Sequence, residues 1–100
     1  MLCYVYVKVY RTQMYVLVAA CDEELLGRTL VEGEIYFNVS ERFYKGSKMT
    51  VEEAIDLIRN ADTANLIGAR IVDRAKRERL VHPEAVLNIA GVPHAQIVKV

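Results

Sequence analysis

His94 is the residue of this sequence best suited to chemistry, because it follows Gly91-Val92-Pro93 at the start of an apolar segment, where a side chain beside a rigid turn meets solvent. If the two C-terminal apolar segments form a hairpin with a three-residue loop, Asn88 lies opposite Gln96 and His94 falls on that same face. These three, joined by Asn65 from elsewhere in the chain, are the candidates for a polar-ligand site, or for a small enzyme in which His94 moves a proton. The competing structural role is that they hydrogen-bond nearby backbone and pin the turn. No nucleophile and orienting acid accompany His94 at a recognisable spacing.

A second set of candidates is electrostatic. From Arg70 to Arg79 there are five basic and two acidic residues, and Arg70, Arg74 and Arg77 fall along one stripe of a helix, with Lys76 beside it. Such a stripe can follow a phosphate backbone, in which case RNA binding would depend on salt. It can equally be a solvated helix face neutralised by Asp73 and Glu78. From Asp22 to Glu34 there are five acidic residues and one basic one, so the acidic stretch can also meet the stripe on a second copy, which would make a homo-oligomer.

The other reactive residue types are less suggestive. His82 precedes Pro83 at a helix exit, where an imidazole serves as a cap. Cys3, Cys21, His82 and His94 form no C-x-x-C pair and no His-x-x-x-His, so neither a metal nor a cofactor is expected. A hairpin centred on Thr12 would set Cys3 opposite Cys21, whereas one centred between Thr12 and Gln13 sets Cys3 opposite Asp22 and the thiols on opposite sides; buried free thiols are the default expectation. Tyr4, Tyr6 and Tyr10 share one face of the first strand and, with Tyr36, Phe37, Phe43 and Tyr44 near Lys8, Arg42, Lys45 and Lys48, can form a base-stacking platform. The alternative is that two helices cover that face and the rings are core.

The elements that must position these residues are legible from periodicity. Residues 3 to 10 alternate strictly and predict a strand, and 14 to 21 resume an apolar run that completes a hairpin. Asp22 can cap a short turn ending at Gly27, and Gly33 releases a third strand over 34 to 39. Residues 40 to 48 read as a loop. Thr50 and Glu53 make a capping box for a helix over 51 to 59, with Val51, Ala54, Ile55 and Ile58 facing the core. Asp62 can cap a second helix running to about Arg79, whose buried stripe is Ala64, Ile67, Ile71 and Ala75, with Gly68 allowing a close approach. Strands over 85 to 89 and 95 to 100 follow His82-Pro83. The expectation is one α+β domain over residues 1–100, with a mostly antiparallel or mixed sheet of about five strands and two helices inserted between strands three and four.

Composition bounds the rest. At 100 residues the chain fits a single core, and 53% hydrophobic with 26% charged residues is the balance of a globular domain. Thirteen basic residues cancel thirteen acidic ones, so any electrostatic function must be local. No apolar run approaches the ~20 residues of a membrane span, no secretion signal is present, and a cytoplasmic protein without a membrane partner is expected.

Three segments, Ala19-Ala20-Cys21-Asp22-Glu23-Glu24-Leu25-Leu26-Gly27, Ala64-Asn65-Leu66-Ile67-Gly68 and Gly91-Val92-Pro93-His94-Ala95-Gln96-Ile97-Val98, resemble a family of small archaeal proteins catalogued as domain of unknown function four-two-four. The resemblance runs essentially from end to end. It implies an archaeal source, and in a thermophilic one a Cys3 to Cys21 bridge is less unusual; it also implies a role linked to RNA or the ribosome. Two functions of different classes follow. The first is a non-catalytic adaptor that binds RNA or a ribosome-associated complex through Arg70, Arg74, Arg77 and Lys76; the second is a small enzyme or ligand-binding protein built on His94, Gln96, Asn88 and Asn65.

Overall fold

The computed structural model describes residues 3–99, so the final Val100 of the expected last strand lies outside the described residues. The alternating N-terminal segment forms β1 (Tyr4–Arg11), which pairs antiparallel with β2 (Val16–Asp22). A 3-10 turn over Glu23–Leu25 leads to a separate hairpin, β3 (Thr29–Glu32) and β4 (Ile35–Asn38), followed by a short helix α1 (Glu41–Tyr44) and β5 (Ser47–Thr50). Helix α2 (Val51–Arg59), strand β6 (Thr63–Ile67) and helix α3 (Ala69–Arg77) come next. A second 3-10 turn, Pro83–Ala85, enters the closing hairpin of β7 (Val86–Ile89) and β8 (Val92–Val98).

The main sheet has six strands in the order β5-β1-β2-β6-β8-β7, while β3 and β4 pair only with each other. All its pairings are antiparallel except the central one, β2 with β6. A parallel pair cannot be closed by a tight turn, so the chain must cross between them. The crossing carries the β3-β4 hairpin, α1, β5 and α2.

Pleating gives the sheet two different faces. Val5, Val7, Val18, Ala20, Ala64, Leu66, Ala95 and Ile97 point to one side and pack against Val51, Ala54, Ile55 and Ile58 of α2 and Ile71, Val72 and Ala75 of α3. Ala19, Cys21 and Ile67 point to the other side and pack beneath Leu25, Leu30, Val39 and Tyr44. The α2 residues expected at its core face are the ones that are buried.

Several expectations are corrected. Residues 63 to 67 are not the start of a long second helix but the central strand β6, which separates α2 from α3. The segment Thr63-Ala-Asn-Leu-Ile is buried on both faces, and a short two-sided apolar run fits helical and strand periods equally. Gly68 marks the junction, with φ at 122°, a value a helix interior excludes. The sheet therefore has six strands rather than five, and three helices replace the expected two. The supposed loop over 40 to 48 contains α1, capped by the Ser40 hydroxyl accepting from Phe43 N–H at 3.2 Å, and the first residues of β5.

The first hairpin turns on neither expected register. Its four-residue loop, Thr12 to Tyr15, closes with Thr12 N–H donating to Tyr15 O at 2.8 Å, which pairs Cys21 with Tyr6. Cys3 and Cys21 are consequently apart and both are free; Cys21 is buried as expected, but Cys3 is exposed. The tyrosine face is covered, though not by the two long helices. Tyr10 stacks on Phe43 with ring centroids 5.5 Å apart and its hydroxyl donates to Phe43 O at 2.7 Å, so α1 covers that end of the strand.

The capping box at the start of α2 is complete: Glu53 N–H donates to Thr50 Oγ1 at 3.2 Å, and Thr50 N–H donates to Glu53 Oε1 at 3.0 Å. Thr50→Ala removes the hydroxyl acceptor and is expected to lower unfolding free energy by roughly 0.5 to 2 kcal/mol. Urea denaturation checks this, with a lower midpoint at unchanged slope as the expected outcome.

Candidate functional site

The C-terminal ends of the central parallel strands bring β2 and β6 to the start of α3. Gly68 supplies no side chain to cap that helix, and Asp22 from the end of β2 takes the role: its Oδ2 accepts from Arg70 N–H at 2.9 Å and its Oδ1 from Ile71 N–H at 3.0 Å. A Cβ on residue 68 would stand 2.3 Å from Asp22 Cγ, so the glycine is required for this approach as well as for its φ. Burial pushes the Asp22 carboxyl above its ordinary value, against the two amide donors, which pull it down. Asp22 was expected to cap only the local turn after β2. Its long-range role could not be read from spacing, because its partners lie 48 and 49 residues away.

On the face opposite the long helices, the structure brings His94, Gln96 and Asn65 together and excludes Asn88. Asn65 pairs with Gln96 across β6 and β8, and His94 Nε2 lies 3.3 Å from Asn65 Oδ1. The β7-β8 loop has two residues, Ala90 and Gly91, both at positive φ, rather than three. Asn88 therefore pairs with Pro93 instead of Gln96 and projects to the other side of the sheet.

A residue not foreseen in this cluster is Tyr44, whose hydroxyl donates to the same Asn65 Oδ1 at 2.5 Å. The available signal was Ser40, a good N-cap three residues ahead of Phe43, which would have turned the presumed loop into α1. Phe37 of β4 closes the cluster, its ring centroid 5.0 Å from that of His94. Burial lowers the His94 pKa and raises that of Tyr44, so both side chains are neutral at pH 7. One carbonyl oxygen thus accepts from two neutral side chains, which ties α1 to β6 and β8. This is the chemistry of a satisfied structural network.

The basic stripe occupies the exposed side of α3. A cleft of about 370 Å³ is lined by Arg70, Arg74 and Arg77, by the carboxylates Glu52 and Asp73, and by Cys3, Val51 and Ala69. Arg70 bonds Glu24 at 2.6 Å, and Arg74 bonds Glu52 at 2.9 Å and Glu78 at 3.1 Å. Lys76 lies 3.6 Å from Asp73. Arg77 makes no salt bridge among the described residues. A second cleft, of about 430 Å³, lies past the C-terminal end of α3 and is lined by Lys76, Arg79, Val81, His82 and Pro83. His82 opens the 3-10 turn beyond the helix, its Nδ1 accepting from Glu84 N–H at 3.1 Å, so it caps the start of the next turn instead of the end of α3 as expected. Among the described residues no helix is long and apolar enough to cross a membrane, and no three His, Cys, Asp or Glu side chains cluster as metal ligands would.

Fold and site define the class: a single α+β domain with a mixed six-stranded sheet, long helices on one face and a small hairpin with a short helix on the other. Residues 10–100 match the family model described as a protein of unknown function, DUF424, and the chain belongs to that family. It is similar to the protein in a crystal structure of an uncharacterized conserved protein from the archaeon Methanopyrus kandleri, at 28% identity and a TM-score of 0.79, over 97% of this chain and 94% of that one. No curated protein matches the chain.

The thiols differ in environment and should differ in reactivity. Burial pushes the Cys21 thiol up to about 12, reinforced by neighbouring Asp22, which leaves it without thiolate at neutral pH. Iodoacetamide is expected to label Cys3 in the native protein and Cys21 only after denaturation. Intact mass spectrometry checks this, and two labels on the native protein would contradict the burial of Cys21.

Proposed function

We propose that this protein is a non-catalytic adaptor that docks RNA, or a ribosome-associated complex, on the arginine face of α3. The observation that carries the proposal is the cleft beside that face, in which three guanidinium groups line one concave surface and Arg77 has no acidic partner among the described residues. The ion pairs of Arg70 and Arg74 do not remove them from play. Glu24 and Glu52 are half or more exposed, and such surface pairs contribute only about 0 to 1 kcal/mol, so phosphate oxygens can replace these two carboxylates at small cost, while Arg74 keeps its second, less exposed partner Glu78. Arginine suits the task because its planar fork matches two phosphate oxygens at once.

The alternative, a small enzyme or polar-ligand site at His94, has Asn65 and Gln96 in its support. Against it, Asn65 Oδ1 already accepts from Tyr44 and lies within reach of His94 Nε2, and His94 lines neither of the two clefts along α3.

Titration with ribosomal RNA across salt concentration separates the two. Each arginine that meets a phosphate should steepen the logarithmic salt dependence by about 0.7 to 0.9. Arg77→Glu is expected to weaken binding more than tenfold, roughly the effect of replacing one attraction by one repulsion at a phosphate. The triple change Arg70→Glu, Arg74→Glu and Arg77→Glu should abolish binding, with circular dichroism showing that the fold persists, whereas His94→Ala should leave it unaltered. Equal affinity of the wild type and the triple variant would remove α3 as the docking face.

A further inference from the structure

The second cleft lies on a different side of α3 from the arginine face. Positions 70, 74 and 77 line the first cleft, whereas 76 and 79 line the second, and successive helical residues are offset by about 100°. Its lining combines an ammonium, a guanidinium and an imidazole with two apolar side chains, Val81 and Pro83, and contains no acidic residue. His82 Nδ1 accepts from Glu84 N–H, which places the ring proton of the neutral form on Nε2, so the free nitrogen is a donor. Lys76, Arg79 and His82 therefore all offer donors.

An independent observation concerns Arg79 itself. Its φ is 60°, in the left-handed region, directly after the last turn of α3. Leu80 N–H bonds Ala75 O at 2.9 Å and Arg79 N–H bonds Lys76 O at 3.0 Å, a helix ending in which glycine is the favoured residue. A side chain there is strained, because its Cβ crowds the following carbonyl oxygen. The backbone gains nothing from arginine at this position, so its guanidinium is where a use must be sought.

We propose that this cleft binds a phosphate group carried on a nucleotide, with the phosphate on Lys76, Arg79 and His82 and the sugar or base against Val81 and Pro83. The volume of about 430 Å³ falls within the range of small-ligand sites. Two features oppose an anion, and both are outweighed. The C-terminal end of α3 carries about half a negative charge, but its last carbonyls are already bonded by Glu78, Arg79 and Leu80, and two full positive charges face it. Asp73 reaches Lys76 at 3.6 Å, a long and exposed pair that a phosphate can displace. The phosphate can belong to a free nucleotide or to the backbone of RNA. This site does not depend on the arginine face, since none of Lys76, Arg79 or His82 lines the first cleft.

The decisive variant is Arg79→Gly, because it deletes the guanidinium while suiting the backbone. Amide proton–nitrogen correlation spectra of the full chain would be recorded during titration with adenosine 5′-monophosphate and with a uridine tetranucleotide. At least one probe is expected to shift the amides of Lys76, Arg79, Val81 and His82. Arg79→Gly should bind it about tenfold or more weakly, the loss of one charge-assisted contact, while melting at or above the wild-type temperature. Lys76→Met gives a second reading of the same loss without touching the turn. Equal binding of both probes identifies a free nucleotide as the source, and binding of the tetranucleotide alone identifies the RNA backbone. If neither probe moves these amides, or both variants bind as the wild type does, the cleft is not a phosphate site. Because Arg70, Arg74 and Arg77 are unaltered, this result is read separately from the fate of the arginine face.

Discussion

The placement of α3, and of both clefts along it, depends on how Asp22 meets the start of that helix. The carboxylate at the end of β2 accepts the first free amides of the helix, and Gly68 leaves the space for it. Neither half works alone. A helix beginning after glycine has no side chain to satisfy its amides, and a buried carboxylate without donors would carry a desolvation cost of several kcal/mol. Joined, they clamp α3 to the end of the central parallel strand pair and so set which of its sides face outward. The arginine face and the cleft at its far end both inherit their orientation from that clamp.

The two faces of the sheet are stabilised by different means. The side under α2 and α3 is a dry aliphatic core of valine, isoleucine, leucine and alanine. The other side adds directed contacts to its own buried apolar cluster of Ala19, Cys21, Leu25, Leu30, Val39 and Ile67: Tyr10 to the backbone of α1, Tyr44 and His94 to Asn65, and Lys8 Nζ to Arg42 O at 2.9 Å. Small alanine side chains at positions 19 and 64 let the central strands be covered on both sides. The polar network fixes where α1 and the β3-β4 hairpin sit, because hydrogen bonds constrain direction while apolar contact does not.

Charge is arranged locally on a chain whose formal sum is zero. The acidic 3-10 turn after β2 is paired within the molecule: Glu24 bonds Arg70, and Glu23 bonds Lys48 at 2.6 Å. Arg59 pairs with Glu78, and Glu52 with Arg74, so α2 and α3 are stitched along their exposed edges. On and just past α3 this leaves Arg77 and Arg79 without a salt bridge among the described residues, and those are the places where we propose phosphate contacts.

The sequence by itself determined the elements whose signals are short in range. The strict alternation of β1, the Thr50 and Glu53 capping box and the apolar face of α2 all appear where their spacing put them, because each depends on neighbours within a few residues. The family resemblance was also legible, carried by segments that the match over residues 10–100 includes. Tertiary structure alone decided the rest. Thr63 to Ile67 became a strand because both of its faces are buried by different layers, and local periodicity does not register a second layer. Asn88 left the His94 face because a two-residue turn at Ala90 and Gly91 moves its partner from the expected Gln96 to Pro93, and an odd shift of register turns a side chain to the other side of a sheet. Asp22 reached α3, and Tyr44 reached Asn65, across separations of 48 and 21 residues, distances over which spacing along a chain carries no information about contact.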